Sequence, residues 1–468
     1  MSGTLFGLPM IDGITFLLYL AAIIGIGFYC SKKIENAKDF TSAGQNLTLP
    51  LILGSVLASW FGAYSGAGGP EYIYNVGMVA FTTFLGYHVG LFGLACLAKP
   101  LRASGAVTFP EFISTQFGDK ARTASSIASI LTLIGTTAGQ FIACGTVAEL
   151  LGLCSFQQGI VFGGIIIVVL TITGGLYGVA LTDTVQQIFI TCICVIAVPA
   201  VAFSKAGGFT YVMENTDPAR LSLLSGLAPV AILSAFAANA LAFATDPAFA
   251  QRIFAAKDIK SAVVGSHLGN LLAVIMSLPI FLAVFTIPFI FPEMTIASQF
   301  APTTIITYMP PVIKGIGIGA FSSLLLTTGD TYLLTTASVV TTDIMPKFRP
   351  NASDKDTLLW SRLTTVATGV VCILLGLYLQ NIYNAITLFY GAYGAAITVP
   401  VFISCIAKDK VDNRVVAPSI YITLIAVVAI DVISGTRNGV FFGVAISLLI
   451  LLGGTIMIRN KDANKTGA

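Results

Sequence analysis

Apolar stretches of about 20 residues recur along the whole chain, divided by short breaks that carry charge, proline or glycine. A helix of that length crosses the hydrocarbon core of a bilayer, so the pattern predicts a polytopic all-α membrane protein. Reading runs against breaks gives thirteen spans. A leading helix covers 10–30. Ten core helices follow near 49–72, 76–98, 122–150, 157–174, 179–204, 226–248, 263–292, 311–345, 357–379 and 383–406. Two trailing helices lie near 415–434 and 438–458. The chain, 1–468, thus reads as one transmembrane domain: the leading helix, a first five-helix block (49–204), a second (226–406) and a trailing pair (415–458). The first run is too long for a signal-peptide core, lacks a basic leader and is followed by similar runs, so it is expected to be retained.

The basic residues fix an orientation. With the N-terminus outside, alternate connections become cytoplasmic, and they hold 20 of the 24 Lys and Arg residues, among them Lys32, Lys99, Arg252, Lys347, Lys408 and Arg459. Lys205, Arg220, Arg437 and Lys314 fall elsewhere. Excess positive charge marks cytoplasmic loops. A missed or invented span would invert every later connection, so the alternation supports an odd number of spans and a cytoplasmic C-terminus.

Composition narrows the function. Hydrophobic residues make up 56% of the chain and charged ones 10%, against about 25% charged in a soluble domain. Mean hydropathy is +0.90. A soluble enzyme, a disordered protein and a nucleic-acid binder are excluded. Eight cysteines sit mostly inside apolar runs with no CxxC pair or Cys/His cluster, so they read as small buried hydrophobes. No nucleophile–base pair is visible, and the longest connections are about 20 residues, 99–121, 205–225 and 293–310. An enzyme is not expected.

Interruptions inside the spans carry the candidate chemistry. Core helix 1 crowds Gly62, Gly66, Gly68, Gly69 and Pro70 into nine residues beside Ser59, Tyr64, Ser65 and Glu71. Irregular backbone at membrane depth is tolerated only where protein buries it or it lines a polar cavity. One or two glycines would mean close helix packing; five breakers point to a discontinuous helix at a binding site. In core helix 8, Leu324, Thr327, Thr328 and Thr331 share one face, with Asp330 beside it. Threonines in membrane helices often only bond back to their own i−4 carbonyl. A carboxylate in mid-span costs several kcal/mol unless paired, and hydroxyls beside it offer an all-oxygen environment for a hard monovalent cation. Asp183, in core helix 5 with Thr182, Gln186 and Gln187, is either an ion ligand, an interfacial carboxylate or a partner for a basic residue. His88 and His267 read as packing histidines. Gln140 in core helix 3 is positioned to donate to a solute, while Trp60 and Phe61, in the broken zone, are explained equally by core packing.

Four segments resemble a known family, the sodium:solute symporters. They are 58–68 (ASWFGAYSGAG), 174–186 (GGLYGVALTDTVQ), 246–258 (DPAFAQRIFAAKD) and 327–343 (TTGDTYLLTTASVVTTD). The resemblance runs to about residue 410 and is specific for family, not for substrate. It implies the LeuT-type fold, two inverted repeats of five helices. It also implies a sodium site made by the backbone carbonyls of Ala58, Phe61 and Leu324 and the hydroxyls of Thr327 and Thr328. Where relatives carry a small residue, this chain has Leu324; where they often carry Ser, it has Thr327. Asp183 matches the aspartate near the family's ion exit path, and some relatives bind a second sodium at positions matching Asp183, Asp330 and Thr331.

The expectation is a sodium-coupled importer of a small polar organic solute, an amino acid, carboxylate or sugar-like molecule, with Ser59, Trp60, Tyr64, Ser65 and Gln140 lining the solute cavity. Its partners are the solute, the sodium ion and the lipid of the cell membrane, with no nucleic acid and no obligate protein partner. A proton-coupled or uniporting carrier of the same fold is the alternative. A transporter-like sensor is another, and since about ten residues follow the last expected helix, signalling would then need a separate partner.

Overall fold

A computed structural model describes residues 3–5, 7–379, 389–407, 411–435 and 439–466; the side chains of Tyr64, Ser65, 404–407, 465 and 466 lie outside that description. Among the described residues, nine helices are long and apolar enough to cross a membrane. Many large apolar side chains on them are exposed, Leu18, Leu374 and Ile425 among them, which suits a belt facing lipid rather than water.

The leading helix is α1, Met10–Ser31. Core helix 1 is divided, as its glycines and proline predict. Its first half, α2, spans Leu49–Trp60. At Phe61 the backbone leaves helical geometry (φ −79°, ψ 69°). A π-helical turn over Tyr64–Gly68 follows, and the second half, α3, covers Gly69–Val76. Next come α4 (Val79–Cys96) and α5 (Asp119–Leu150). Core helices 4 and 5 form one nearly unlooped unit, α6, that begins at Phe156 and continues to Lys205. Its 50 residues would extend about 75 Å as one rod, more than twice the thickness of the hydrocarbon core. Gly175 provides the reversal, with φ +52° and ψ −168°, and a Cβ there would lie 3.1 Å from the backbone of Phe40. Both arms then run back along α1: Leu170 packs at Gly27, and Phe189 stacks edge-on against Tyr19.

Core helix 6 is also divided, which the hydropathy pattern alone does not predict. It comprises α7 (Pro229–Phe243) and α8 (Pro247–Ala255). Asp246 starts α8 by accepting the amides of Ala248 and Phe249, and Pro247 occupies the first turn. The remaining long helices are α9 (Ile259–Ala283), α10 (Ile313–Val339), α11 (Asp354–Leu379), α12 (Phe389–Ile403), α13 (Asn413–Ser434) and α14 (Gly439–Asn464). The start of the expected core helix 10, together with Lys408, Lys410 and Arg437, lies outside the described residues.

The helices sort into two packed groups. One joins α2, α4, α7 and α9; the other joins α5, the first arm of α6, α10 and α11, and α2 meets α6 and α10 along the seam. Glycines allow the closest approaches within the first group. A Cβ on Gly86 would lie 2.4 Å from the carbonyl oxygen of Phe236, and one on Gly90 would lie 2.4 Å from that of Ala240. Small residues four apart on α4 thus let its backbone touch α7.

Gly90→Ala should therefore force α4 from α7 and destabilise the fold by about 1–3 kcal/mol, the usual cost of overpacking. Gly25→Ala, whose Cβ would meet no atom within 4 Å, should be close to neutral. Thermal unfolding of the two variants in detergent checks the difference.

Candidate functional site

The division of α2 from α3 frees backbone groups in the middle of the bundle, and neighbouring helices meet them. Thr327 on α10 donates its hydroxyl to the carbonyl of Ala58 at 3.0 Å and to that of Ser323 at 2.9 Å. Thr328, one residue on, donates to Ser59 at 3.3 Å and to Leu324 at 3.4 Å. Gly62 permits this approach, since a Cβ there would lie 2.4 Å from the Thr328 hydroxyl. Four of the five expected sodium ligands, Ala58, Leu324, Thr327 and Thr328, are thereby brought together, and the Ser59 carbonyl joins them. Phe61 is fully buried at the break itself, next to the glycine that packs on Thr328. The donor set consists of neutral carbonyl and hydroxyl oxygens, which suits a hard cation of low charge. The Leu324 carbonyl accepts from Thr328, while the Leu324 side chain packs at Gly66.

Around the same break lie the expected solute residues. The Trp60 indole donates to the Ser277 hydroxyl at 2.9 Å, and its ring packs against Tyr87, His88 and Phe243. Gln140 on α5 accepts the amide hydrogen of Ala63 at 2.9 Å, so its oxygen is committed to the broken backbone. The Ser59 hydroxyl faces Thr331 at 3.3 Å on the α10 side. The side chains of Tyr64 and Ser65 lie outside the described residues.

On the α2 side of this region the structure assembles a charged cluster that hydropathy reading does not find. Arg252 of α8 is fully buried. Its Nε donates to Ser55 at 3.0 Å, its Nη1 to the Ala248 carbonyl at 3.0 Å and its Nη2 to Thr331. Ser55 passes its own hydrogen to Asp183 at 2.6 Å, and Nη2 of Arg252 lies 3.6 Å from the same carboxylate oxygen. Arg252 is therefore not a solvent-facing basic residue of a cytoplasmic connection, as the charge reading placed it. Asp183 is not interfacial; it is fully buried and partners a base. The second oxygen of Asp183 and one oxygen of Asp330 have no hydrogen-bond partner among the described residues. Thr331 links Ser59 on one side to Arg252 on the other.

A second unanticipated group gathers at the break in core helix 6. One oxygen of Asp246 caps α8, and the other accepts from Tyr390 at 2.5 Å and Tyr332 at 3.0 Å. Tyr393 of α12 donates to the Thr245 carbonyl at 2.6 Å, so α10 and α12 both hold this break. The sequence signal was present: Asp followed by Pro, ahead of an apolar run, marks a helix start.

Removing one partner of a buried ion pair leaves the other uncompensated, at a cost of about 3–5 kcal/mol. Arg252→Met should thus be markedly less stable in detergent than wild type. Adding Asp183→Asn to it should recover part of the loss, because no buried charge then stands alone. Equal melting temperatures for the single and double variants would show that the pair is not coupled.

Comparison with known proteins gives this geometry its context. The model of the sodium:solute symporter family matches residues 40–414. The osmoregulated proline transporter OpuE of Bacillus subtilis is 26% identical over 417 residues, covering 82% of each chain. The sodium/pantothenate symporter of Haemophilus influenzae is 24% identical over 360 residues, covering 73% of each chain. Among solved structures, a substrate-bound, outward-open Na+-coupled sialic acid symporter superposes with a TM-score of 0.83, at 19% identity, over 96% of this chain and 98% of that one. A match across so much of the chain, on a bundle of membrane-spanning helices, makes it a multi-pass membrane transporter and not an enzyme: the chain belongs to the sodium:solute symporter family.

Proposed function

We propose that this chain uses the sodium gradient to import a small polar organic solute. The observation that carries the reading is the pairing of Thr327 and Thr328 with the carbonyls of Ala58 and Ser59 across the seam between the two helix groups. Sodium enters between α2 and α10, ligated by the carbonyls of Ala58, Phe61 and Leu324 and the hydroxyls of Thr327 and Thr328. Each threonine already has a second acceptor one turn back, at Ser323 or Leu324, to take its hydrogen when its oxygen turns to the ion. The ion therefore replaces hydrogen bonds between the groups with stronger charge–dipole contacts, and holds α2 against α10.

The solute docks beside the break, against Trp60 and the backbone of the π-helical turn, with Ser59, Tyr64, Ser65 and Gln140 around it. Coupling follows if sodium binds the solute-competent arrangement better than its alternative, since each ligand then raises the affinity for the other. Along the sequence, most basic residues fall in the connections on the side from which α2 begins, which supports that side as cytoplasmic. Asp183, Asp330 and Thr331 lie on the α2 side of the sodium site and form the ion's path to the cytoplasm or a second ion site. Arg252 is a resident positive charge beside that path, so sodium release requires its contacts with Asp183 and Thr331 to rearrange.

Sodium should raise the melting temperature of the purified protein in a concentration-dependent way, and potassium should not, because only an ion bound to the folded state stabilises it by mass action. Thr328→Ala should shift the sodium midpoint at least about tenfold upward, equivalent to about 1.4 kcal/mol of ion binding. An unchanged midpoint would remove Thr328 from the site. Uptake of radiolabelled L-proline or pantothenate into proteoliposomes under a sodium gradient, or under a pH gradient without sodium, then separates sodium coupling from proton coupling.

A further inference from the structure

His88 lies at the middle of α4, buried, with its ring 4.2 Å from that of Trp60. Its hydrogen bonds determine which ring nitrogen carries the hydrogen. The Asn270 side chain on α9 meets it twice: its amide nitrogen donates to the His88 carbonyl at 2.9 Å, and its amide oxygen lies 2.8 Å from Nδ1. A backbone carbonyl only accepts, so the nitrogen of Asn270 must face it and the oxygen must face the ring. An amide oxygen only accepts in turn, so Nδ1 carries the hydrogen. Nε2 of the neutral ring is then a bare lone pair. It is buried and has no hydrogen-bond partner among the described residues.

We propose that Nε2 of His88 accepts a hydrogen bond from the transported solute, and that the solute therefore presents an N–H or O–H donor beside Trp60. This rests on the reading that solute docks at the break between α2 and α3. The nearby polar groups are already committed: the Trp60 indole to Ser277, and the Gln140 oxygen to the Ala63 amide. An acceptor buried in an apolar setting costs free energy until a donor meets it, which is how a site selects a solute that carries one. The ring that packs on His88, Trp60, belongs to an aromatic cluster. Trp60, Tyr87 and Phe243 pack on one another there, so the solute's apolar body has rings to rest on while its donor reaches Nε2. Asn270 is a positioning residue: it fixes the tautomer and the ring plane, and it also lines a small, mostly apolar cavity with Val56, Leu91 and Phe249.

The chain contains only two histidines, so protein labelled with 15N-histidine gives two imidazole spectra, and His267→Gln assigns them. The resting spectrum should show hydrogen on Nδ1 and none on Nε2 of His88. Two pairs of probes, added with sodium, read the donor and its kind. L-proline against N,N-dimethyl-L-proline tests a donor on nitrogen; choline against its O-methyl ether tests one on oxygen. In at least one pair the donor-bearing member should move the Nε2 signal, and its methylated partner should not. His88→Phe, which keeps the ring against Trp60, should bind that donor-bearing probe about tenfold more weakly, the scale of one hydrogen bond. His88→Asn, which keeps a donor toward Asn270 and loses Nε2, should do the same. Sodium-induced stabilisation should persist in both variants. Hydrogen on Nε2 in the resting protein, a signal that none of the four probes moves, or equal responses within both pairs would overturn the proposal. Repeating the titration in potassium separates it from the sodium reading: the same Nε2 response without sodium would refute coupling and leave the role of His88 intact.

Discussion

Backbone N–H and C=O groups released in the middle of a membrane cannot turn to water, and the centre of this bundle is organised around meeting them. At the first break, the carbonyls of Ala58 and Ser59 take hydrogens from Thr327 and Thr328, and the amide of Ala63 gives its hydrogen to Gln140. At the second, Asp246 takes the amides of Ala248 and Phe249, and the Thr245 carbonyl takes the Tyr393 hydroxyl. Asp246 caps its own helix; the other partners come from α5, α10 and α12. The irregular segments are therefore not independently stable; they are held by α5, α10 and α12. In the proposed sodium reading, the same dipoles, redirected slightly, form the cation site. A site built this way couples ion binding to helix position, because the ligands belong to elements that move relative to each other if the helix groups separate.

The buried charges follow the same logic. Arg252 lies in the short helix after the second break, and its guanidinium reaches Ser55 on α2, Thr331 on α10 and the Asp183 carboxylate on α6. A single cation thus connects four chain segments without a water-exposed contact. Such a pair adds little net stability over apolar packing, because desolvation offsets most of the attraction. Its value is specificity: it permits one relative placement of α2, α8 and α10, and leaving that placement requires separating charges inside the protein. The Asp246–Tyr332–Tyr390 group does the equivalent at the neighbouring level without a counter-ion, using two hydroxyls and two amides to hold a carboxylate.

Much of this was legible in the sequence. Hydrophobic run length points to the nine membrane-length helices among the described residues, because a bilayer enforces a minimum length that few other constraints do. The glycines and Pro70 identified the break in core helix 1, since five breakers in one span have no cheaper explanation. The face shared by Leu324, Thr327, Thr328 and Thr331 is simple helical geometry, and it is the face that meets the break. The second break was hidden because Ala244 to Asp246 interrupts an apolar stretch with only one charged residue, and its cap, Asp246–Pro247, is a local signal overshadowed by hydropathy. Arg252 was misplaced because charge counting treats every basic residue near a span end as exposed; only the fold shows that this one points inward to Asp183. The role of His88 depends on Asn270, 182 residues away, and no periodicity connects them.

In the proposed function, sodium bridges the broken backbone of α2 to the hydroxyl face of α10. Hydrogen exchange of the purified protein, in sodium and in equimolar potassium without added solute, tests it directly. Local opening governs exchange of such amides, so a bound bridge should slow it only where the bridge acts. Sodium, relative to potassium, should protect the amides of 58–68 and 324–331 and leave those of α13 unchanged. Equal exchange in the two salts across both segments, or protection confined to the helix ends away from the break, would contradict it.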